Sequence, residues 1–519
     1  MFDPVTILCA LACGVIARSL GLPALVGYLA AGFVLFELGV SPGPIVDQLA
    51  ELGVTLLLFS IGLKLQPKEL LQKRVWGSTL AHMLLSIAFF TPLLVFATQL
   101  MPGITMDFDD SLLIAFALSF SSTVFAIQVL QSRGEMSSRH ATLAIGVLLL
   151  QDVAAVLYIA ISTGKVPEPT ALLLLLLIPA RPLIIRLLNL AGHDELFSLF
   201  GLSLAILGAD MFELVGVKGD LGALLLGVML AGSEQGKELA KNLLQFKDLF
   251  LVGFFVSIGL SGWPAEELVY VALLVGLLAP LKSPLYFWLM TRFATAPRTA
   301  LLSSTALSNY SEFGLIVIAI ASKQGVIDYQ WSAALSLSIA LSFLISTGMN
   351  LQVHPFYMRY YRRLRRFRSA ELQIDRLDCS NTRVIVLGMG RIGSGAYEEI
   401  RKDYGDTVLG VDDNDRKLKA CQLRNQRVVA ADASDPMFWI QVNFDEVEWV
   451  LIALTNHREN MLVGELLREK GYKGRMTAVV RYDDESKDLE RYDIASFNVY
   501  AEAGAGLATH ARPPGAATT

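Results

Sequence analysis

The sequence has little charge and few cysteines for its length. Only 18% of its 519 residues are charged, whereas 54% are hydrophobic. So little charge cannot cover the surface of a water-soluble globule of this size, and the balance indicates a polytopic membrane protein. The four cysteines are scattered, two near the N-terminus and two in the C-terminal part, which argues against a disulfide framework or a structural zinc site.

Other signals are also missing. Residues 371–519 carry 19 Lys or Arg against 25 Asp or Glu, and this lack of positive charge argues against nucleic acid as a partner. No TVGYG-like selectivity filter occurs, which disfavours a potassium channel. The N-terminus, MFDPVTIL, has no basic region and no small-residue cleavage pattern, so we interpret the first apolar run as a retained membrane span.

Apolar runs separated by Gly, Pro and charged residues predict about thirteen membrane spans by the length rule. The spans lie near residues 4–20, 24–40, 50–65, 76–100, 111–131, 140–163, 169–189, 195–213, 217–232, 246–262, 267–291, 298–322 and 331–353.

Basic residues are concentrated in alternate loops, 14 in one set against three in the other. This asymmetry places the N-terminus outside and the C-terminal part in the cytoplasm. We therefore predict a transmembrane domain of residues 1–353, a basic cytoplasmic linker of residues 354–380, a nucleotide-binding domain of residues 381–500 and a flexible tail of residues 501–519.

The membrane part contains an internal repeat. Ala117–Ser122 resembles Ala306–Ser311, and Ser60–Leu63 recurs as Ser257–Leu260. In the predicted topology the two members of each pair run in opposite directions. Inverted repeats with polar, interrupted spans are typical of secondary transporters that alternate access around a site at the middle of the membrane.

Asp152 lies in the middle of the apolar run Ile145–Ile161. At the helical rise it is about 18 Å from His140, where the span begins, and so near the midplane of a hydrocarbon core roughly 30 Å thick. A carboxylate at that depth is costly and is by default a functional-site hypothesis. The alternative is a structural acid paired with a buried base.

Other polar residues lie at similar depth. Ser121, Ser122 and Thr123 interrupt the fifth span about 15–18 Å from its inner end, and Lys282 and Glu312 lie about 15 and 21 Å deep. We predict that these groups meet Asp152 and its neighbour.

The neighbour of Asp152 is the amide of Gln151. Carboxylate, hydroxyl, amide and carbonyl oxygens suit a dehydrated alkali cation, and a carboxylate that has released its cation can take a proton instead. Asp152 is therefore the predicted ligand of both K+ and H+, in turn. We interpret Lys282 as a counter-charge for the empty site, Glu312 as a helix-packing acid and His82 as structural.

The C-terminal part carries the pattern of a dinucleotide-binding domain. The strand Arg383–Leu387 leads into the turn Gly388-Met389-Gly390-Arg391-Ile392-Gly393 and then a helix, and a second strand ends in Asp412. Glycines let phosphates approach the backbone, and the acid binds a ribose hydroxyl. Three further strands predict a doubly wound α/β domain, near Val428–Ala430, Trp449–Leu454 and Met476–Val480. Because no catalytic acid–base or Cys–His pair stands out beside it, a ligand sensor is favoured over an enzyme.

The ligand follows from the same motif. The N-terminus of the helix, with Gly388, Gly390, Arg391, Ile392 and Gly393, is predicted to hold the phosphates. Asp412 favours a free ribose 2′-hydroxyl, and hence AMP or NAD(H) over NADP(H).

These segments together resemble the Kef-type potassium efflux systems of the second cation:proton antiporter family. Gly53–Leu63 resembles the third-span motif of that family, Leu118–Thr123 its unwound crossing helix, Gln151-Asp152 its ion-binding pair and Ser311–Phe313 its other crossing helix. Residues 381–500 resemble an RCK (regulator of K+ conductance) domain, whose GxGxxG loop binds adenine nucleotides.

The resemblance implies an antiporter fold with crossed broken helices, a homodimer with an elevator-like motion, and K+/H+ exchange in a bacterial inner membrane. Gln151-Asp152, in place of the Asp-Asp or Asn-Asp of sodium exchangers, favours potassium, and Asp432 is implied as a contact for the adenosine half of the nucleotide. Regulation by glutathione or by an ancillary subunit stays open. The competing interpretations are a Na+:H+ antiporter, a ligand-gated potassium channel and a membrane-anchored NAD(P)-dependent oxidoreductase.

Overall fold

The computed structural model of the chain has two compact units. One consists of residues 1–129 with 143–369, and the other of residues 130–142 with 370–519. The structure describes residues 4–511 except residues 21, 41–43, 65–71, 100–105, 134, 137, 163–173, 175–176, 193–194, 216–218, 261, 368–378, 440–441 and 455–456.

The described residues of the first unit form helices joined by loops, and two of these helices have one end in the segment 130–142 of the second unit. The helices of the first unit are α1 (Pro4–Ser19), α2 (Ala24–Glu37), α3 (Pro44–Lys64), α4 (Lys73–Gln99), α5 (Phe108–Ser119), α6 (Thr123–Ser132), α7 (Arg139–Ser162), α8 (Leu177–Leu190), α9 (Glu195–Leu214), α10 (Gly219–Leu230), α11 (Glu234–Leu260), α12 (Glu266–Leu278), α13 (Lys282–Arg292), α14 (Pro297–Ala306), α15 (Glu312–Lys323) and α16 (Gln330–Leu364). Among the described residues, five helical segments are long and apolar enough to cross a membrane.

The helices overlap the predicted spans but differ from them in detail. The helix α11 begins at Glu234, twelve residues before the predicted tenth span, and residues 169–173 and 175–176 of the predicted seventh span lie outside the described residues. The fifth and twelfth spans are each divided into two helices, α5 with α6 and α14 with α15, and the eleventh is interrupted by a 3-10 turn at Ala279–Leu281. The last helix continues to Leu364 and so takes up the start of the predicted linker. The helix can extend past the apolar run because its backbone bonds need no apolar side chains, and Arg362 and Arg363 suit its negative end.

Equivalent glycines of the internal repeat make equivalent helix crossings. A Cβ on Gly62 of α3 would lie 2.3 Å from the Leu224 carbonyl oxygen of α10, and a Cβ on Gly259 of α11 would lie 2.5 Å from the Leu29 oxygen of α2. Only glycine permits backbones to approach this closely in a membrane helix pair. The two copies of the repeat therefore occupy corresponding places in the two halves of the unit.

The second unit is built on a six-stranded parallel sheet. Its strands are β1 (Val384–Leu387), β2 (Val408–Asp412), β3 (Val428–Ala430), β4 (Trp449–Ile452), β5 (Arg475–Val480) and β6 (Ala495–Asn498), in the order β3-β2-β1-β4-β5-β6. The order reverses between β1 and β4, which is where doubly wound folds bind ligands. The predicted Rossmann-like fold is confirmed.

The helices of this unit include α17 (Arg391–Tyr404), α18 (Asp415–Gln422), α19 (Pro436–Trp439), α20 (His457–Glu469), α21 (Asp483–Glu490) and α22 (Val499–Ala511). The helix α22 continues into the predicted tail as far as Ala511, in keeping with the helix propensity of its alanines, and the flexibility of the tail stays a prediction. Residues 512–519 lie outside the described part. The strand β6 was not predicted, since its side chains are mostly exposed and carry no apolar pattern.

Candidate functional site

The two broken helices meet at their breaks. The α5 helix ends at Ser119 in an extended Phe120, with φ −74° and ψ 148°, and residues 307–311 separate α14 from α15. The Ser122 N–H donates to Asn309 Oδ1 (2.7 Å), and Ser121 Oγ donates to the Leu307 carbonyl (2.8 Å). Backbone groups freed in the membrane are thus bonded by the opposite break, as a low-dielectric interior requires.

Asp152 lies beside this crossing. It is on α7, its exposure is 1%, and its Oδ2 and Oδ1 atoms lie 3.2 and 3.5 Å from Thr123 Oγ1. Thr123 is the first residue of α6 after the break. A buried carboxylate and a hydroxyl oxygen therefore lie together where a helix is interrupted.

Gln151 connects α7 to both the break and α13. Its Oε1 accepts from the Ser121 N–H (2.9 Å), and its Nε2 donates to the Ser119 carbonyl (3.1 Å) and to the Tyr286 hydroxyl (2.7 Å). Because the donors and the acceptor of the amide are all engaged, its orientation is fixed. Gln151 holds the break in place beside Asp152.

Lys282 binds carbonyl groups of both breaks. It is 2% exposed, and its Nζ donates to the carbonyl oxygens of Leu118 (3.2 Å), Phe120 (2.6 Å) and Asn309 (2.8 Å). A broken helix leaves carbonyls with partial negative charge at its end, and an ammonium has three donors to satisfy them. In this conformation Lys282 therefore caps the breaks and forms no ion pair with Asp152, the partner expected from sequence.

Glu312 is placed at the start of the second broken helix. It is the first residue of α15 and is 1% exposed, and the preceding Ser311 caps the helix by accepting from the Phe313 N–H (3.0 Å). The positive end of the helix dipole favours a carboxylate there. Its role as a helix-packing acid stays a prediction.

Three residues of this region were not predicted as site members: Asn309, Tyr286 and His82. Asn309 lies within the repeated motif and Tyr286 is one turn after Lys282, but neither position identifies its partner. Their bonds join elements more than a hundred residues apart, so periodicity could not reveal them.

Replacing Lys282 by Met is expected to lower thermal stability more than it changes cation affinity. The change leaves three buried carbonyls without a donor, and each unsatisfied buried group costs about 1–3 kcal/mol. Melting temperature and K+ affinity of the detergent-solubilised chain measure the two effects. Lys241→Met, at an exposed position, is the control, and equal melting temperatures for the two variants would contradict the capping role.

In the second unit, the glycine-rich turn has two glycines that the loop itself requires and one that faces open space. Gly388 has φ +89°, and a Cβ on it would lie 2.5 Å from the Ala453 oxygen, while a Cβ on Gly393 would lie 1.9 Å from the Gly388 oxygen. A Cβ on Gly390 would meet nothing within 4 Å. Arg391 and Ile392, both exposed, begin α17 beside this space. The N-terminus of α17 thus offers free N–H groups to an anion.

Asp412 fastens the glycine-rich turn to the end of β2. Its Oδ2 accepts from the Met389 N–H (2.8 Å) and from Lys417 Nζ (3.2 Å), and its Oδ1 accepts from the Asn414 N–H (2.8 Å). Asp432 follows β3, the neighbouring strand, and its Oδ1 accepts from the N–H (2.9 Å) and the hydroxyl (2.6 Å) of Ser434. The two acids lie at the same sheet edge as the turn, and their contacts with a nucleotide stay predictions.

Asp413, next to Asp412, binds the segment 130–142 of the same unit. Its Oδ2 accepts from the Arg139 N–H (3.2 Å), and its carbonyl accepts from Arg139 Nε. Burial, followed by the neighbouring Asp432 and Asp412 carboxylates, raises the pKa of Asp413 to about 6, against the opposing influence of Arg139.

Replacing Asp413 by Asn is therefore expected to have a pH-dependent effect on stability. Because the folded pKa exceeds the ordinary value of 3.8, the folded wild type loses stability as the pH rises from about 4 to 6. Asn cannot ionise, so the variant does not lose this stability. Its melting temperature should therefore rise relative to that of wild type as the pH goes from about 4 to 6, and the difference should persist at higher pH. Melting temperatures of the full chain from pH 4.5 to 8 test this, with the exposed Asp445→Asn as control. A difference that does not vary with pH would contradict the prediction.

Comparison with known proteins gives matches over most of the chain. The family model "Sodium/hydrogen exchanger, transmembrane" matches residues 5–352, and the model "TrkA-N domain" matches residues 384–498. The glutathione-regulated potassium-efflux system protein KefC of Enterobacter sp. (strain 638) is 28% identical over 484 residues, covering 88% of this chain and 75% of that protein. KefC of Klebsiella pneumoniae (strain 342) is 33% identical over 411 residues, covering 73% of this chain and 63% of that protein. The solved structure of the sodium proton antiporter MjNhaP1 from Methanocaldococcus jannaschii has a TM-score of 0.43 at 14% identity. The similarity covers 69% of this chain and 97% of that one.

Proposed function

Because the chain belongs to the sodium/hydrogen exchanger family and is a multi-pass membrane protein, we propose that it exchanges K+ for H+ across the bacterial inner membrane. The observation that carries this proposal is the buried Asp152 carboxylate beside Thr123 at the crossing of two broken helices. An interrupted helix pair around an ionisable group is how secondary transporters build a substrate site at the middle of the membrane.

In the proposed cycle, Asp152 binds one substrate at a time. Its carboxylate and the Thr123 hydroxyl supply oxygen ligands to the cation, and the same carboxylate takes a proton once the cation has left. Because both substrates need the same oxygen atoms, binding of one excludes the other, and this competition couples their opposite movements. Gln151 and Lys282 do not need to touch the cation for this, since they hold the break residues that shape the site.

Potassium is proposed over sodium on two grounds. The named relatives in Enterobacter and Klebsiella are potassium-efflux system proteins. The residue before Asp152 is a glutamine whose amide oxygen is already engaged by Ser121, so a single carboxylate faces the cation on α7. A Na+:H+ antiporter is the alternative that the transport assay decides.

The TrkA-N domain is proposed to regulate transport by binding AMP or NAD(H). The open space at Gly390 beside the N-terminus of α17 suits a phosphate, and Asp412 at the end of β2 suits a ribose. Regulation requires that the ligand bind the two transport states with different affinity.

In the functional assembly, proposed to be a homodimer, a ligand-driven change in this domain would reach α6 and α7 through the segment 130–142, which is part of the same compact unit. Glutathione, named for the relatives, is a second regulator to test.

The experiment is a flux measurement on proteoliposomes that contain a K+-sensitive and a pH-sensitive dye. An imposed K+ gradient should drive proton movement in the opposite direction, with saturation, and a Na+ gradient of equal size should drive less. K+ movement that is not accompanied by protons would identify a channel and overturn the proposal. Equal or larger responses to Na+ would overturn the choice of cation.

A further inference from the structure

A buried histidine contacts Tyr286, the tyrosine that is bonded to Gln151. His82 on α4 is 0% exposed, and its ring stacks on the ring of Tyr286, with centroids 3.5 Å apart and planes 6° apart. Its Nε2 lies 3.4 Å from the Ser86 hydroxyl, and its Nδ1 has no hydrogen-bond partner among the described residues. With so little hydrogen bonding, the main contact that His82 offers is the flat face of its ring.

The ring that stacks on His82 belongs to Tyr286, which is bonded to Gln151 at the proposed cation site. Tyr286 is also 0% exposed, and its hydroxyl accepts the 2.7 Å bond from Gln151 Nε2. The position of a phenol oxygen is set by the plane of its ring, and a parallel ring 3.5 Å away restricts that plane. A chain of direct contacts therefore runs from His82 through Tyr286 to Gln151.

We propose that His82 is a positioning residue of the cation site, acting through Tyr286 on Gln151; this rests on the proposed function for the identity of the cation. Gln151 uses its other two bonds on Ser119 and Ser121, on the two sides of extended Phe120. Loosening the Tyr286 hydroxyl lets the amide turn, and the break then no longer holds the Thr123 hydroxyl in its place beside Asp152 for the cation. K+ affinity and the preference for K+ over Na+ fall together, while the proton-binding Asp152 is untouched.

The test compares variants that keep or remove the flat ring. His82→Leu should raise the KM for K+ by about fivefold, equivalent to weakening one hydrogen bond, with the maximal rate within about twofold of wild type. His82→Phe keeps a stacking ring and should restore the wild-type KM. Phe33→Leu removes the buried ring of another stack, which Phe33 forms with the half-exposed Trp263 at 4.4 Å, and should leave the KM unchanged.

Two further variants show whether the effect runs through Gln151. Tyr286→Phe keeps the ring and removes only the hydroxyl, so it should reproduce the KM of His82→Leu, and it decides the matter if His82→Leu does not fold. In a Gln151→Leu background, His82→Leu should add nothing, because the contact it supports is already gone. A normal KM in Tyr286→Phe, or additive effects of His82→Leu and Gln151→Leu, would overturn the proposal.

The same variants are also compared in a K+ binding measurement, which does not depend on transport. K+ binding to the purified full chain is followed as a K+-dependent rise in melting temperature, which gives a dissociation constant. A wild type without coupled flux would overturn the proposed function, whereas a K+ dissociation constant equal in wild type, His82→Leu and Tyr286→Phe would overturn the positioning role of His82.

Discussion

Asp152→Asn is expected to reduce K+-driven proton flux to the level of empty liposomes while the protein stays folded. Asparagine has the same shape and keeps an oxygen that can accept from Thr123 Oγ1, so the crossing of the broken helices should survive. It can neither carry a charge for the cation nor bind a proton at physiological pH, so both half-reactions are lost together. The measurement is the dye assay in proteoliposomes, with elution volume and melting temperature as evidence of folding.

Two matched variants show whether the loss of flux is specific to Asp152 or follows from removing any carboxylate. Asp210→Asn removes an exposed carboxylate from α9, away from the breaks, and should retain full flux. Glu312→Gln removes a buried carboxylate at the start of α15 and should also retain flux if Glu312 serves helix packing. Substantial coupled flux by Asp152→Asn would remove Asp152 from the mechanism, and loss of flux in Glu312→Gln would make Glu312 a second transport acid.

Gly390→Ala is expected to abolish measurable binding of AMP and NAD(H) without lowering thermal stability. The added Cβ meets nothing in the protein within 4 Å, so the loop keeps its shape. The methyl group instead occupies the space at the N-terminus of α17 that a phosphate would enter, and close approach of phosphate to backbone is what glycine permits there. Calorimetry with each nucleotide measures the loss, and the flux assay shows whether regulation disappears with it.

The neighbouring glycines provide the controls. Gly393→Ala places a Cβ 1.9 Å from the Gly388 oxygen, so it should lose binding and stability together. Gly395→Ala, one turn into α17 with nothing within 4 Å of its Cβ, should bind normally and be slightly more stable, since alanine favours a helix. Tight nucleotide binding by Gly390→Ala would refute the phosphate position. If wild type binds neither AMP nor NAD(H) at millimolar concentration, the domain is a structural clamp.

Agreement between sequence and structure was best where the signal is local. The interruptions at residues 120–122 and 307–311 follow from polar residues within apolar runs, and the turn at Gly388–Gly393 follows from a strand, a motif and a helix in direct succession. The resemblance to Kef-type systems and the fold class are confirmed. Local propensity also accounts for the helix that continues into the predicted tail as far as Ala511, since this segment is rich in alanine.

The sequence by itself predicted the level of each polar residue along its span, because this prediction needs only the number of residues and the rise of a helix. Asp152, Thr123 and Lys282 could be assigned to one level in this way. Only the tertiary structure decided which of them touch, because contact depends on the rotation of each helix about its axis and on the packing of distant segments. That rotation turns Lys282 towards the carbonyls of Leu118, Phe120 and Asn309 rather than towards Asp152, and it brings Tyr286 between His82 and Gln151.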